Sequence, residues 1–528
     1  MTYKIVQPRG NGKFYLYEGR SEWDPEKRMS VQKRVYLGAC DEDGNLLKDV
    51  KHQKVVTVSP VYGPYRLLTG LCEKNGLRKT LVNVYGKEDG LRILALAILG
   101  VVEPDSVRQT ADIVDDTYIR ELLDIDCGFS QSAVCRFLQK VGRDTGHAAK
   151  LMDALAPKSG AVIFDIVCLG TDSELLDYAE VGRKMRITGS KQVNLGLVHS
   201  MEDGLPFMYR VYPGSVSDVV TLRNLTSDLD SMGVKPIEMV MDRGFFSHSN
   251  VVHMMGLDSG FTMPVPAKNA IFKLLVSESV EHILSPLNTE ILNDSVVRAY
   301  ETRVLVGSDG FEKTADSGER TLRALVIQDD ETRTDETATL YRRLKELEKL
   351  AASTPWEEFE ENDLPRTYEK YASLLEYSEG PDGMTATKRR RNAISLRENS
   401  CGRFVFLTTS DEAWIVIFAR YRQRNDVEYD FSELKSDLEP AVKGKSDHDS
   451  MEGGLLINLL SLRIRTDLLN RMRDAGMTDR MCAKDVLRTL GKLKISQIGG
   501  KWRLNEVTKA QRDIFEKLGV EIEGRIKG

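Results

Sequence analysis

The sequence predicts an α/β protein whose centre is a mixed β-sheet. The segments Ala161 to Val167, Val193 to Val198 and Phe207 to Val211 are short and apolar, as strands are. A helical segment, Val219 to Leu229, then leads to a fourth strand, Ile237 to Asp242. Three consecutive strands followed by a helix and another strand suit a sheet with both parallel and antiparallel pairs.

Two regions precede this sheet. The first is predicted to be a small antiparallel sheet, because breaks separate three segments of β-forming residues: Phe14 to Tyr17, Lys33 to Leu37 and Val55 to Val58. From residue 62 to 150 the periodicity is helical. A short helix, Ser106 to Val114, and a second helix that begins behind the N-cap Ser130 resemble a helix-turn-helix, although a plain helical bundle is commoner for such pairs. Both interpretations stay open at this point.

The region after the fourth strand has a different character. It combines β-rich pieces, a charged helix and a polar stretch whose role is open: Val296 to Val306, Thr321 to Ile327, Glu336 to Leu350, residues 352–400 and Phe404 to Thr408. We expect residues 262–420 to be an insertion that does not continue the sheet. Residues 411–475 are strongly helical. The tail should hold two helices, Ala483 to Leu493 and Lys509 to Leu518, on either side of a glycine turn.

Composition sets further bounds. The 528 residues are enough for three or four domains, and the net charge of −6 argues weakly against a nucleic-acid partner. The charge is uneven, however, with an acidic cluster at residues 356–361 and a basic one at residues 388–391. The seven cysteines contain no CxxC pair, so a zinc site of that kind is disfavoured and reduced thiols are expected. The longest apolar run, Ile93 to Val102, is too short for a membrane span, and we expect a cytoplasmic protein.

Two acidic residues end or interrupt apolar strands. Asp242 closes the fourth strand before Arg243-Gly244 turns the chain, at the strand end where α/β sheets place chemistry. Asp165 lies inside the first strand, where a carboxylate is costly unless it is paired or binds metal. For either residue alone, a turn-capping or arginine-paired aspartate is the commoner explanation.

A third candidate carboxylate lies in the segment from Tyr421 to Lys435. On a helix, Tyr421, Arg424, Glu428 and Lys435 fall on one face, so a hydroxyl, two cations and a carboxylate stand in a row. Such a row suits a phosphate backbone that passes over a metal-bound carboxylate. An amphipathic surface helix with ion pairs is an equally good account of this segment alone. Two carboxylates from strands and one from a helix can bind two Mg²⁺ ions about 4 Å apart.

The residue spacing resembles a known family. Tyr421-(2)-Arg424-(3)-Glu428-(6)-Lys435 is similar to the Y-R-E-K signature of DDE transposases from bacterial and archaeal insertion sequences. Further segments resemble that family's first and second aspartate motifs, the segment between them, and a C-terminal piece of one branch: Phe164-Asp165, Asp242 to Phe245, Pro213 to Asp218 with Thr221-Leu222, and Leu504 to Gln511. Val167 stands where relatives often have Thr. Asp172 is the alternative first carboxylate, but it follows Gly170, outside the predicted strand.

The resemblance implies an RNase H-like catalytic fold interrupted by a β-rich insertion domain. It divides the chain into a small β-sheet, a helical DNA-binding region, a first catalytic part, the insertion, a second catalytic part and a helical tail: residues 1–60, 61–155, 156–262, 263–410, 411–475 and 476–528. It further implies a polynucleotidyl transferase that cleaves transposon ends and joins them to target DNA. Its partners would be double-stranded DNA with terminal inverted repeats, read by residues 1–150, and a second copy of the chain in a homodimer. The protein would then be associated with the nucleoid.

The resemblance also assigns the site residues. Asp165, Asp242 and Glu428 would bind two Mg²⁺ ions, for which Mn²⁺ may substitute. Tyr421, Arg424, Lys435 and Arg243 would contact DNA. Two alternatives stay open: an RNase H-like nuclease that cuts without joining, and a transposase-derived DNA-binding protein without catalysis.

Overall fold

The computed structural model describes most of the chain. The described ranges are residues 2–9, 13–24, 29–46, 59–104, 110–157, 160–182, 191–216, 218–232, 238–314, 320–360, 364–423, 447–498 and 501–522. Within these ranges, no helix is long and apolar enough to cross a membrane.

The N-terminal region is a three-stranded antiparallel sheet in the order β1-β2-β3. Its strands are β1 (Thr2–Arg9), β2 (Lys13–Asp24) and β3 (Met29–Cys40). The predicted small sheet is therefore present. It includes β1, which the alternation did not indicate, whereas the predicted strand Val55 to Val58 lies outside the described residues.

A helical region follows the small sheet. Its helices are α1 (Gly63–Lys74), α2 (Leu77–Tyr85), α3 (Lys87–Val102), α4 (Thr110–Asp115), α5 (Ile119–Leu123), α6 (Gln131–Arg143) and α7 (Thr145–Leu155). The predicted N-cap Ser130 is confirmed, because its side chain accepts a hydrogen bond from the Ala133 amide.

The central sheet begins as predicted. Its first strands and their helices are β4 (Ala161–Thr171), β5 (Lys191–Ser200), β6 (Pro206–Pro213), α8 (Asp218–Ser231), β7 (Glu238–Met241), α9 (His248–Met255), β8 (Gly260–Pro264) and α10 (Ala270–Ser279). Strands β4, β5 and β6 pair antiparallel, whereas β7 is parallel to both β4 and β8. The mixed sheet is thus confirmed.

The prediction that residues 262–420 do not continue the sheet is wrong. The elements of this region are β9 (Thr289–Leu292), β10 (Ser295–Val306), β11 (Phe311–Thr314), β12 (Thr321–Asp329), α11 (Asp330–Ala352), α12 (Arg366–Ala372), β13 (Leu375–Glu379), β14 (Thr385–Arg389), α13 (Arg391–Ser400) and β15 (Arg403–Thr408). Strand β15 pairs antiparallel with β8 on one side and with β12 on the other. One ten-stranded sheet results, in the order β11-β10-β12-β15-β8-β7-β4-β5-β6, with β9 beside β10.

The polar stretch within this region folds against α11. Leu344 and Leu347 of α11 form a separate small core with Leu375 of β13 and Ile394 of α13. The hairpin β13–β14 pairs only with itself among the described strands. This unit is the part of the region that does stand apart from the large sheet.

The remaining elements are helical apart from a short hairpin. They are α14 (residues 414–423), α15 (His448–Asp474), α16 (Ala483–Leu490), β16 (Ile495–Ile498), β17 (Lys501–Leu504) and α17 (Lys509–Lys517). The tail returns to the start of the helical region: the Tyr62 hydroxyl donates to the Ile522 carbonyl at 2.6 Å, and Arg66 Nε donates to the Glu521 carbonyl at 2.9 Å.

Helix α6 is packed closely against α15. A Cβ added at Gly142 would lie 1.9 Å from the Asp449 carbonyl oxygen, and one at Gly453 would lie 2.1 Å from the Leu138 carbonyl oxygen. Only glycine permits so close a backbone approach. Val134 and Phe137 of α6 belong to the same hydrophobic core as α15 and the sheet. This packing fits the helical-bundle interpretation of the region, and the helix-turn-helix stays a prediction.

Candidate active site

The two aspartates follow paired positions of neighbouring parallel strands. The pairing of β4 and β7 ends with Phe164 opposite Met241, and the next residues are Asp165, still within β4, and Asp242, just beyond β7. Asp242 keeps an extended backbone, with φ −79° and ψ 156°, directly after the last residue of β7. The chain then turns into a short 3-10 helix, and the Gly244 amide donates to the Asp242 carboxylate at 3.4 Å.

Both aspartates belong to the sheet face that α14 covers. Ile163 and Val240, two residues before each aspartate, share a hydrophobic cluster with Ile417 and Phe418 of α14. Side chains of a strand alternate between faces, so Asp165 and Asp242 project from this same face. The third predicted carboxylate follows the same helix in the chain.

Asp165 fits the position of the first carboxylate better than Asp172 does. Strand β4 continues beyond the predicted end at Val167, through Gly170 to Thr171. Asp172 is exposed just past the strand, whereas Asp165 is half-buried in register with Asp242. A shift of seven residues along β4 corresponds to about 23 Å, which removes Asp172 from the neighbourhood of Asp242.

The structure describes only Tyr421 of the predicted Y-R-E-K residues. Arg424, Glu428 and Lys435 lie outside the described residues. The last described residue of α14, Gln423, donates to the Met201 carbonyl at 3.4 Å, and the Met201 amide donates to the carbonyl of Ala161, the first residue of β4.

Tyr421 is a core residue in the structure. Its side chain is 7% exposed, and its ring centroid lies 4.8 Å from that of Phe406 in an edge-on arrangement. The ring therefore anchors α14 on β15. Its predicted contact with DNA stays a prediction.

A cleft of about 460 Å³ adjoins Asp242. Its lining includes Arg243, Gly244, Lys268 and the buried amides Gln192 and Asn194. Arg243 and Lys268 are exposed, so two cations stand at a carboxylate-bearing cleft. Asp165 is not among the lining residues. The residue of β4 that lines the cleft is Cys168, whose alternation is opposite to that of Asp165, so Asp242 lies at the edge of the cleft and Asp165 on the other side of β4.

Lys268 was not predicted from the sequence. It follows the end of β8, which is parallel to β7, so both strands deliver their next residues to the same edge of the sheet. The available signal was a cation shortly after a strand that neighbours the aspartate strands. That signal can be used only when the order of the strands in the sheet is known.

The segment Pro213 to Asp218, noted for its resemblance, borders the cleft. Asn194 Nδ2 donates to the carbonyls of Gly214 and Val216, at 3.2 and 3.0 Å, and Gln192 Nε2 donates to the Gly214 carbonyl at 3.1 Å. A Cβ at Gly214 would lie 2.1 Å from the Gln192 carbonyl oxygen. Buried amides of β5 thus fix this loop beside Asp242.

A second cleft, of about 480 Å³, lies at the opposite edge of the same strands. Its central carboxylate is Glu238, the first residue of β7, which is buried and accepts hydrogen bonds from Thr262 Oγ1 and from Arg420 Nη1 at 2.9 Å. Arg420 also pairs with Glu412. Internal ion pairs therefore already neutralise the carboxylate of this slightly larger cleft. The Asp242 cleft is the better candidate for chemistry.

Several basic residues that the chain could offer to DNA are engaged within the protein. Arg463 donates to the Pro206 carbonyl at 2.8 Å, and burial lowers the pKa of its guanidinium. Arg471 pairs with Asp467 at 3.0 Å, and Arg389 pairs with Glu348 at 2.7 Å. Among the described residues, no group of three or more His, Cys, Asp or Glu side chains stands ready to hold a metal ion. Two of the three predicted ligands lie in that part of the chain.

Comparisons with known proteins give little. No protein-family model matches the chain, and no curated protein matches it. A solved structure to which it is similar is described as a cryo-EM structure of piggyBac transposase synaptic complex with hairpin DNA. The identity is 8%, the match covers 82% of this chain and 80% of that chain, and the TM-score is 0.37. A likeness this distant establishes neither a shared fold nor a shared function.

Proposed function

We propose that this chain is a DDE-type polynucleotidyl transferase, a transposase that cleaves DNA at the ends of a mobile element and joins those ends to target DNA. The observation that carries the proposal is the register of β4 and β7. In that register, Asp165 and Asp242 directly follow the paired residues Phe164 and Met241, and both have the alternation of the sheet face covered by α14, the helix that precedes Glu428. Within the described residues, the fold also provides a mixed β-sheet that can carry such a site.

The proposed metal ligands are Asp165, Asp242 and Glu428. Carboxylate oxygens are the ligands that Mg²⁺ prefers. A divalent cation would offset the like charges of two neighbouring half-buried carboxylates. When bound, two Mg²⁺ ions, or Mn²⁺ in their place, supply an activated water or 3′-hydroxyl and stabilise the leaving oxygen.

The protein's own groups would position the DNA. Arg243 and Lys268, exposed at the Asp242 cleft, would bind phosphates on either side of the scissile bond. The Gly244 amide orients the Asp242 carboxylate by hydrogen bonding. We expect Arg424 and Lys435 to add phosphate contacts from the segment that follows α14. Recognition of terminal inverted repeats by residues 1–150 and assembly as a homodimer belong to the same proposal.

The test is strand cleavage and transfer on labelled DNA that carries the element's ends. The wild type should cut and join with Mg²⁺, and Glu428→Ala should bind the DNA but do neither. Asp242→Cys should be inactive with Mg²⁺ and partly active with Mn²⁺, because a thiolate binds the softer ion better. Such rescue requires that residue 242 contact the metal.

The products distinguish the alternatives. Cleavage without strand transfer would identify a nuclease. DNA binding without cleavage, with either Mg²⁺ or Mn²⁺, would leave only the non-catalytic DNA-binding protein. Rescue of Asp242→Cys together with strand transfer would exclude both.

A further inference from the structure

One face of the N-terminal sheet is unusually aromatic. The register of β1, β2 and β3 and the alternation of side chains place six large side chains on this face: Tyr3, Tyr15, Tyr17, Trp23, Arg34 and Tyr36. We call it the tyrosine face. The Tyr36 ring lies 5.7 Å from that of Tyr15 and 5.5 Å from that of Tyr17, measured between centroids.

The protein buries part of the opposite face, around Leu16 and Cys40, while Val35 on that face stays exposed. Leu16 and Cys40 on the opposite face are 2% and 1% exposed. They lie under the turn that follows β3, where Cys40 bridges to Leu46 and Gly44 approaches Val6 and Leu16. The sheet has therefore already buried its own small core on that side.

Large rings remain exposed on the tyrosine face. Trp23 is 65% exposed, Tyr36 50% and Tyr3 38%. The Tyr3 ring lies across Gly19, where an added Cβ would come within 3.0 Å of it. Cross-strand aromatic pairs stabilise small sheets, but that role does not require rings at this level of exposure.

The charge of the face is also one-sided. Arg34 and Lys13 are exposed on it, and no carboxylate is present among its described side chains. Glu18 lies on the opposite face. In a chain whose net charge is −6, a surface with aromatic rings, cations and no acid is complementary to a polyanion with stacked rings.

We propose that the tyrosine face binds single-stranded DNA, with bases stacked on the exposed rings and phosphates held by Arg34 and Lys13. A base offers a flat ring only when its strand is unpaired, so the face fits a single strand and not an intact duplex. The surface lies outside the carboxylate site and needs no metal. The choice of DNA over RNA rests on the proposed function.

The experiment uses the full chain, in EDTA, and a labelled thymidine oligonucleotide of about 12 nucleotides, a typical length for such a surface. Fluorescence anisotropy gives the dissociation constant for the single strand and for the corresponding duplex. Tyr36→Ala should weaken single-strand binding about tenfold, since one stacked base is lost. Tyr36→Phe should stay within about twofold because the ring remains.

Two further variants act as controls. Val35→Ala alters the neighbouring residue, which is 59% exposed on the opposite face, and should change nothing. Trp23→Phe removes the exposed indole at little risk to folding. It should abolish the quenching of tryptophan emission that the oligonucleotide causes in the wild type, a signal that a purely structural role would not produce.

Several results would overturn the proposal. Two results would mean that the face does not stack bases. One is that Tyr36→Ala and Val35→Ala lose the same affinity for the single strand. The other is that Tyr36→Ala loses the same affinity for the single strand and for the duplex. If an RNA of matching sequence bound more tightly than the DNA oligonucleotide, the ligand of the face would be RNA and not DNA. A change of oligomeric state in Tyr36→Ala, measured by light scattering with DNA binding intact, would identify the face as a contact between copies of the chain. Asp242→Asn should bind the oligonucleotide normally, so failure of catalysis and failure of this surface are distinguishable.

Discussion

Strand β7 carries an acidic residue at each end, and the two ends are built differently. Glu238 at its start is 5% exposed and is held by Thr262 and Arg420. Asp242, just beyond its other end, is half-buried, lies beside Asp165 and lines a cleft with Arg243. Both residues have the alternation that faces α14.

The difference shows that an acid in an apolar strand is not by itself a sign of function. A buried carboxylate must be compensated, and at the start of β7 an internal arginine does this. At the far end, Asp242 lies beyond the strand, is only half-buried and accepts a hydrogen bond from the Gly244 amide, so less burial has to be compensated there. The amino-terminal edge of these strands is thus structural, and the carboxyl-terminal edge is the candidate for chemistry.

The largest effect should come from Asp242→Asn. Because the substitution keeps size but removes a metal-binding charge, we expect cleavage to fall by at least about a hundredfold. The midpoint of thermal unfolding should be unchanged, because the substituted side chain is half-buried and keeps its size. Strand cleavage on labelled ends and calorimetry measure the two quantities. A variant that unfolds early would show instead that Asp242 is structural, like Glu238.

His199 of β5 lies opposite Ile163, near the amino-terminal edge of β4, and should make the free energy of unfolding depend on pH. Burial of this fully enclosed imidazole lowers its pKa to about 3. In the unfolded chain the pKa is about 6.5, so as the pH falls below that value the unfolded state takes up a proton that the folded state does not. Stability should fall by about 2 kcal/mol between pH 7 and pH 5 from this residue.

Urea unfolding at the two pH values, for the wild type and for His199→Leu, isolates that contribution. The variant should lose less stability than the wild type over this interval. An identical pH dependence in both proteins would contradict the assignment.

Glu238→Gln is the counterpart of Asp242→Asn at the structural end of β7. The hydrogen bond from Thr262 can be kept, but the charge opposite Arg420 is lost. Arg420 is 30% exposed and retains Glu412, so we expect a cost of about 1 kcal/mol. Cleavage per folded molecule should stay near the wild-type value. A large catalytic loss in a folded Glu238→Gln protein would remove the distinction between the two ends.

The smallest effect concerns Lys268. Lys268→Ala should weaken binding of the element's ends by a few fold and reduce the salt dependence by about one phosphate contact. Lys273→Ala, an exposed lysine on α10, is the matched control and should leave both unchanged. If both variants behaved alike, Lys268 would be an ordinary surface cation.

Much of the site's outline could be predicted locally. The strands that hold Asp165 and Asp242 are marked by apolar runs, and the helix N-cap Ser130 by its side chain, because these features depend on neighbours in sequence. Sequence patterns are insufficient where one segment could pack against several others. The packing of the Tyr421 ring on Phe406 was not predicted, and its contact with DNA stays a prediction.

Only the tertiary structure decided which strands meet. Strand β15 returns beside β8 and joins the β-rich segments to the sheet, which sequence patterns placed outside it. The positions of Asp165 and Asp242 after paired residues, and of Lys268 at the same edge, likewise depend on β4, β7 and β8 lying parallel in one sheet. The physical reason is that apolar alternation specifies a strand and its buried face, but many strands share that pattern. The choice among them is made by the packing of the whole core.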